Sequence, residues 1–348
     1  MSRIIRRKGL LQSAVSGVLS IPIEVQQDTP AGFPILIHES MFPAGHPVWA
    51  FMQTNGGDLR AYTDAGLTAQ IPVDVYATDR SAKTLKWLTR LPSAITAGNP
   101  FYITVGNTGT PLTQPATTDT FGRRAVWADF QHATHDFDVN LVDDAAWTIS
   151  GAQAQAGPNG LPALGFHTTL GTANTDDVQT DDGSRPTIFT WLGWVNERDL
   201  APGGTSRRIF RYPPFEFNDV GFFSEMRVIA DFSGSSAEWK GARPAANTWQ
   251  FTVIRYDATS AANDPTMRRN KSNIALTEDV APSGTINAGA GPMTYGNFDA
   301  SASGAIDGRI SEPRLVAGSL LSDAFVDALY DNMNAPGSFA IAQPGALV

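Results

Sequence analysis

The chain has 348 residues, enough for two domains with separate cores, and carries 25 basic against 34 acidic residues for a net charge of −9. That balance gives no electrostatic reason to bind nucleic acid or an anionic membrane, and no apolar stretch is long enough to span a bilayer. Cysteine is absent, which excludes disulfides, thiol catalysis and Cys-based zinc sites.

With 32 Gly and 23 Pro among many Thr, Ser and Asn, the composition favours many short strands and turns over helices. Residues 1–19 read as a basic arm, with Arg3, Arg6, Arg7 and Lys8 gathered in the first eight positions of an acidic chain. Such an arm suits docking on an acidic partner surface, where it would become ordered, and a solvated, poorly ordered terminus is the equal alternative. Its apolar run is broken by Gln12, Ser13, Ser16 and Gly17, so a cleaved export signal is not expected.

From residue 20 to 115 strand follows strand. Ile21, Ile23 and Val25 alternate, as do Ile71, Val73 and Val75, and Phe101, Ile103 and Val105. Phe33–Ile37 is apolar on both faces, which predicts a central strand of a sandwich. Leu85–Leu91 is a further strand, closed by Pro92. Turns are marked by Asn55-Gly56-Gly57-Asp58, Asp64-Ala65-Gly66 and Gly98-Asn99-Pro100. The order FPILI, NGGDLRAYTDAG, IPVDVY, LKWLTRLP and FYITVGN resembles an uncharacterised β-sandwich domain that often precedes laminin-G-like domains in bacterial surface and phage proteins. That family has no established chemistry, so the resemblance implies architecture and context alone.

Residues 108–124 are rich in Thr and Pro without periodicity, and 116–124 are expected to link two domains. After them Ala125–Phe130 reads as an opening strand, and further strands are expected at Thr187–Val195, Arg207–Tyr212, Glu225–Phe232 and Thr248–Asp257. The hairpin after the last of these is uncertain, because Asn270-Lys271 stands where a sharper turn signal is expected. Ile306–Val316 is a strand, with Pro313 placing an edge or a bulge in it. A helix follows: Ser322 is its N-cap, Asp323 suits its dipole, and Leu321 with Val326 forms a hydrophobic staple. Phe325, Val326, Leu329, Tyr330 and Met333 make its apolar face, and Asn332, Asn334 and Pro336 stop it. This strand, helix and N-PGSF exit resemble the close of concanavalin A-like (laminin-G-like) domains, although Ser311 replaces the usual Asp and Pro313 an aliphatic residue. The fold expected is all-β: two tandem jelly-roll-like β-sandwiches, over 20–115 and 125–340, one short C-terminal helix, and a tail at 341–348.

Chemistry is sparse. Glycoside hydrolysis needs two carboxylates flanking one bond, and the E-x-D-x-x-E pattern of the sandwich glucanases is missing; Glu216, Glu225 and Glu238 are isolated. There is no G-x-S-x-G elbow. His132 and His135, followed by Asp136 and Asp138, form the single His cluster; His38, His46 and His167 stand apart. An i, i+3 spacing on a strand puts the pair on opposite faces, so polar loop histidines are the expectation and a metal is not. The resemblance implies that calcium could sit at a loop rim, and Asp176, Asp177, Asp181 and Asp182 would be its ligands, with Asp143-Asp144 second. A solvated acidic loop is the simpler alternative. Trp87, Trp191, Trp194 and Trp249 are assigned to the core, and Trp239 to a loop where it contacts ligand.

The domain combination implies a non-catalytic phage virion protein of the tail or capsid exterior. It would assemble in the host cytoplasm, anchored to other virion proteins by its arm, homo-oligomeric, with a lectin-like domain for host polysaccharide. A secreted or cell-surface bacterial adhesin is the alternative.

Overall fold

The computed structural model describes residues 17–107, 112–135, 137–166, 177–180, 186–198, 206–220, 225–289, 291–296 and 306–348. The first part of the chain supplies β1 (Gly17–Val25), β2 (Phe33–His38), α1 (Val48–Phe51), β3 (Arg60–Tyr62), β4 (Gln70–Ile71), β5 (Val73–Asp79), β6 (Thr84–Leu91) and β7 (Pro100–Asn107). Then come α2 (Arg123–Val126), β8 (His132–Ala133), β9 (Thr148–Ser150), β10 (Gln153–Ala156), β11 (Pro162–Phe166), β12 (Asp177–Thr180), β13 (Ile188–Glu197), β14 (Ser206–Tyr212) and β15 (Phe215–Val220). The series continues with β16 (Glu225–Asp231), β17 (Ser236–Ala242), β18 (Gln250–Asp257), β19 (Thr266–Arg269), β20 (Ser272–Ile274), β21 (Thr277–Val280), β22 (Met293–Tyr295) and β23 (Gly308–Ala317). It closes with α3 (Asp323–Asn334), α4 (Pro336–Phe339), β24 (Ala340–Ala342) and β25 (Ala346–Leu347). The chain is all-β as expected, with α3 the one helix of more than four residues among those described.

Two sandwiches result. The first packs a sheet ordered β24-β1-β7-β3-β4, with β25 also on β1, against the three strands β2-β6-β5. Alternation explains the arrangement: Ile21, Ile23, Phe101, Ile103 and Val105 from one sheet and Ile35, Ile37, Leu85 and Trp87 from the other are fully buried in one cluster. The second packs β10-β11-β23-β13-β18-β19-β20 against β21-β17-β16-β15-β14-β22-β12-β9. Phe189, Trp191 and Tyr256 from one sheet meet Phe210, Phe215, Phe217 and Trp239 from the other.

Several expectations change at the ends of the chain. Ala125–Phe130 is not a strand: Arg123–Val126 forms the short helix α2, and the chain turns after it. Nor is 341–348 a tail. Ile23, Glu24 and Val25 of β1 pair with Ala342, Ile341 and Ala340, so the C-terminal segment completes the first sandwich. Phe33–Ile37 is not a central strand either, because among the described residues β2 pairs with β6 alone. Its second apolar face is explained by α3. Phe33 meets Phe325 edge-on and stacks with Phe339, at 5.6 and 5.7 Å between centroids. Buried Asn332 takes the place of a neighbouring strand: the Leu36 N–H donates to its Oδ1 at 2.6 Å, and its Nδ2 donates to the Leu36 carbonyl at 3.1 Å.

On its other side α3 lies against the second sandwich. Tyr330 packs on Trp194 and Phe251, at 5.7 and 6.0 Å. Asp323, Asp327 and Asp331, spaced one turn apart, meet Arg255 and Arg268, Arg268, and Lys271 respectively. Hence β13 is buried on both faces: Trp191 looks into its own sandwich, while Leu192 and Trp194 join the core of the first. The N-cap is as expected, with Ser322 Oγ accepting from the Phe325 N–H at 3.2 Å. Asn270 and Lys271, at φ 44° and 72°, make the tight turn of a two-residue hairpin between β19 and β20.

Candidate ligand cleft and the buried charge networks

Pro313 does produce a bulge, though not an edge. Leu192 pairs with Arg314 and Trp194 with Ser311, so Gly193 faces both Glu312 and Pro313. The bulge holds Glu312 at φ 51° and, with Arg314, fully buried. Glu312 then meets His135 Nδ1 at 2.9 Å and takes a hydrogen bond from Arg314 Nη2 at 3.1 Å. Across the junction between sandwiches, Asp74 of β5 lies 3.0 Å from His135 Nε2 and accepts from Trp127 Nε1 at 2.7 Å. Tyr76 stacks on the His135 ring at 3.8 Å, and the Arg314 guanidinium lies over Trp127 at 4.8 Å.

His135 follows β8 in a bend, as expected of a loop histidine, but it is buried and not solvated. Burial pulls its pKa down, but Glu312 and Asp74, one at each ring nitrogen, outweigh that and raise it to about 9. Both nitrogens donate, so the ring is an imidazolium and cannot ligate a metal. Burial would raise the Glu312 pKa, yet His135 and Arg314 hold it below the usual carboxylate range. His132, on β8, is equally buried and packs edge-on against Trp147 and Tyr212. Asp136 and His167 lie outside the described residues.

A second network lies between the sheets of the second sandwich. Asp219 is held by Arg243, and Glu197 beside them is 2% exposed. Burial first, and the charge of Asp219 second, push the Glu197 carboxyl up to about 8. Near neutral pH it is thus held as the neutral acid beside the Asp219 carboxylate. Two neighbouring carboxyls resemble a hydrolytic pair, but both are buried in the packed interior, whereas hydrolysis needs them flanking an accessible bond. Glu216 is engaged by Arg208 and Arg211 at 3.3 and 3.0 Å, and Glu225 and Glu238 by Arg227 at 3.5 and 2.5 Å. The carboxylates isolated in sequence are ion-paired with arginines on the same or the neighbouring strand.

The calcium set is not brought together by what is described. Asp176, Asp181 and Asp182 lie outside the described residues, and Asp177 is placed only as backbone in β12. Asp144 is taken up by Arg123 and Arg124. Among the described residues no group of three or more His, Asp or Glu could hold a metal ion. The arm residues Arg3, Arg6, Arg7 and Lys8 also lie outside. Trp87, Trp191 and Trp194 are core as expected, while half-buried Trp249 precedes β18 and lies under Arg309 at 5.1 Å.

Trp239 is not in a loop. It belongs to β17, is 1% exposed, and meets Tyr256 edge-on at 5.3 Å. Its indole N–H nevertheless donates to Asp264 Oδ1 at 2.9 Å, and the two form one wall of a cleft of about 370 Å³. The cleft opens where the edge strands β20 and β21 of the two sheets come side by side. Thr266, Asn273 and Glu278 line it along with Asp264, Ile274 and Leu276. Sequence reading missed Asp264, Asn273 and Glu278. They come from three segments that only the closing of two sheets unites; the one local signal was the turn Asn263-Asp264-Pro265.

No family model and no curated protein matches the sequence. Solved structures do. The binding domain of Paraclostridial Mosquitocidal Protein 1 is similar at a TM-score of 0.44 and 11% identity, over 59% of this chain and 52% of that one. The botulinum neurotoxin serotype D binding domain is similar at 0.44 and 9%, over the same shares. The binding domain of botulinum neurotoxin DC, in complex with rat synaptotagmin II, follows at 0.42 and 10%, again over 59% and 52%. The chain thus spans about half the length of the structures it matches.

Proposed function

We propose that this is a non-catalytic virion structural protein, carried on the exterior of a phage tail or capsid, whose second sandwich binds host-surface carbohydrate in the cleft beside Trp239. The observation that carries the ligand assignment is the cleft itself. Carboxylate, amide and hydroxyl groups from Asp264, Glu278, Asn273 and Thr266 converge there over the apolar side chains of Ile274 and Leu276. That is the mixture a sugar ring requires, with acceptors and donors for hydroxyls and an apolar surface for its C–H face. The internal use of Glu197, Asp219, His135 and Glu312 as structural pairs supports a binding role over a catalytic one. The virion setting rests on the sequence resemblance of the paired domains, and the arm with Arg3, Arg6, Arg7 and Lys8 serves as the anchor to neighbouring virion proteins.

The test is calorimetric titration with purified host polysaccharide, followed through tryptophan emission. Asn273→Ala with Glu278→Ala should weaken binding at least tenfold with an unchanged melting temperature. Unaltered binding in that variant would remove the cleft from consideration, and release of reducing sugar would overturn the non-catalytic reading. Deleting residues 2–16 should leave the fold intact yet exclude the protein from particles; normal incorporation would refute the anchor.

A further inference from the structure

The second sandwich ends in open edges on two sides, and the two sides are guarded differently. On one, β20 and β21 carry charge: Glu278 and Asp279 lie on β21, Lys271 precedes β20, and Asp279 pairs with Lys240 at 2.8 Å. On the other, β9 closes one sheet and β10 the other, joined only by Gly151-Ala152. All seven residues of these two strands are exposed, Ile149 included, and none is charged. Indeed from Ala145 to Thr175 there is no Asp, Glu, Lys or Arg, in a chain where these make up 17%. Among the described residues β10 pairs with β11 alone, through Gln153–Ala156.

An exposed strand offers a row of unpaired N–H and C=O groups, and proteins that must stay apart protect such edges with charge, proline or a bulge. Here an unprotected edge lies across from a protected one in the same sandwich. We propose that β10 pairs antiparallel with β10 of a second copy of this chain, making one continuous sheet across a two-fold axis. Charge selects this occupant. In a two-fold antiparallel contact the residue on the axis faces its own copy and its neighbours face one another, so a strand carrying charge of one sign repels itself. Gln153-Ala154-Gln155-Ala156 is neutral throughout, so pairing it with its own copy adds no repulsion at the contact for a chain of net charge −9. The alternating Gln and Ala also suit a close antiparallel ladder, with small side chains admitting amide pairs. A ladder this short buries less than the roughly 800 Å² per partner of a standard interface, which makes the dimer concentration-dependent.

Sedimentation velocity on the full chain, from low to high micromolar, tests this. Wild type should shift from monomer to dimer across the range. Ala154→Lys should raise the dissociation constant at least tenfold, and so should Ala154→Glu, with melting temperatures unchanged. An equimolar mixture of the two should associate again, because opposite charges then face each other across the axis. A monomeric wild type at every concentration, dimers unaffected by Ala154→Lys, or no recovery on mixing would each overturn the proposal.

Discussion

Asn332→Leu is the substitution that most directly measures how the helix holds the two sandwiches together. Asn332 is fully buried, and its side chain satisfies both the N–H and the carbonyl of Leu36 on the open side of β2. Leucine has the same branching though it is bulkier, so α3 keeps its apolar side chains while two buried backbone groups lose their partners and meet methyl groups instead. An unsatisfied buried backbone group costs about 1–3 kcal/mol, so the two together should cost about 2–6 kcal/mol. Leucine is the better helix former by a few tenths of a kcal/mol, so the measured loss slightly understates the lost bonds. Urea denaturation followed by tryptophan emission reads the effect as a lower midpoint with an unchanged slope. Asn332→Asp keeps an acceptor for the Leu36 N–H but sets a buried carboxylate against the Leu36 carbonyl, so at neutral pH it should cost at least as much. A loss below about 1 kcal/mol in Asn332→Leu would show that Leu36 finds other partners and that the helix is not a strand substitute.

Stability should fall as pH rises from 6 to beyond 9. His135 has a folded pKa of about 9 against 6.5 unfolded, so its contribution is complete below 6.5 and is lost as pH climbs through 9. Glu197, raised to about 8 from 4.5, acts in the same direction, its contribution complete below 4.5 and gone above 8. Scanning calorimetry across that range checks it, and a melting temperature that is flat or rising between 6.5 and 9 would count against both networks. The acidic stripe of α3 should be uneven: Asp331→Ala, opposite a Lys271 that is 41% exposed, should cost under about 1 kcal/mol. Asp327→Ala deprives Arg268, 8% exposed, of a partner and should cost about 1–3 kcal/mol in the same urea assay; equal costs would refute this ranking.

Much of the strand layout was legible because alternation is a local property. Ile21, Ile23 and Val25, or Phe101, Ile103 and Val105, announce both a strand and its buried face, and the structure places them so. The cap at Ser322 and the bulge at Pro313 were equally local, since each follows from one residue's hydrogen-bonding capacity. What failed was whatever depended on a partner far away in sequence. Phe33–Ile37 looked central because two apolar faces ordinarily mean two flanking layers; the second layer is a helix 290 residues later, a separation no periodicity records. Trp239 looked exposed beside Lys240 and Gly241, yet Lys240 points to an ion pair with Asp279 while Trp239 turns inward, as alternation on a strand requires.

The same reasoning explains why His135 misled. On the sequence, two histidines three apart with acidic neighbours suggest either a metal site or a solvated loop. The groups that decide between them, Asp74 and Glu312, stand 61 and 177 residues away. They also belong to different sandwiches: β5 contributes Asp74, and the bulge of β23 contributes Glu312. Neither carboxylate could be buried at the junction alone, because an isolated ion there would cost several kcal/mol. The imidazolium makes burial of both tolerable, and Arg314 offsets the remaining negative charge. A junction built this way is specific as well as stable: sliding one sandwich by a single residue would separate Asp74 from His135 and leave a buried carboxylate without its cation. That demand for register, added to the Asn332 contact and the antiparallel pairing of β24 with β1, gives a physical reason for the two sandwiches to occupy one fixed relation.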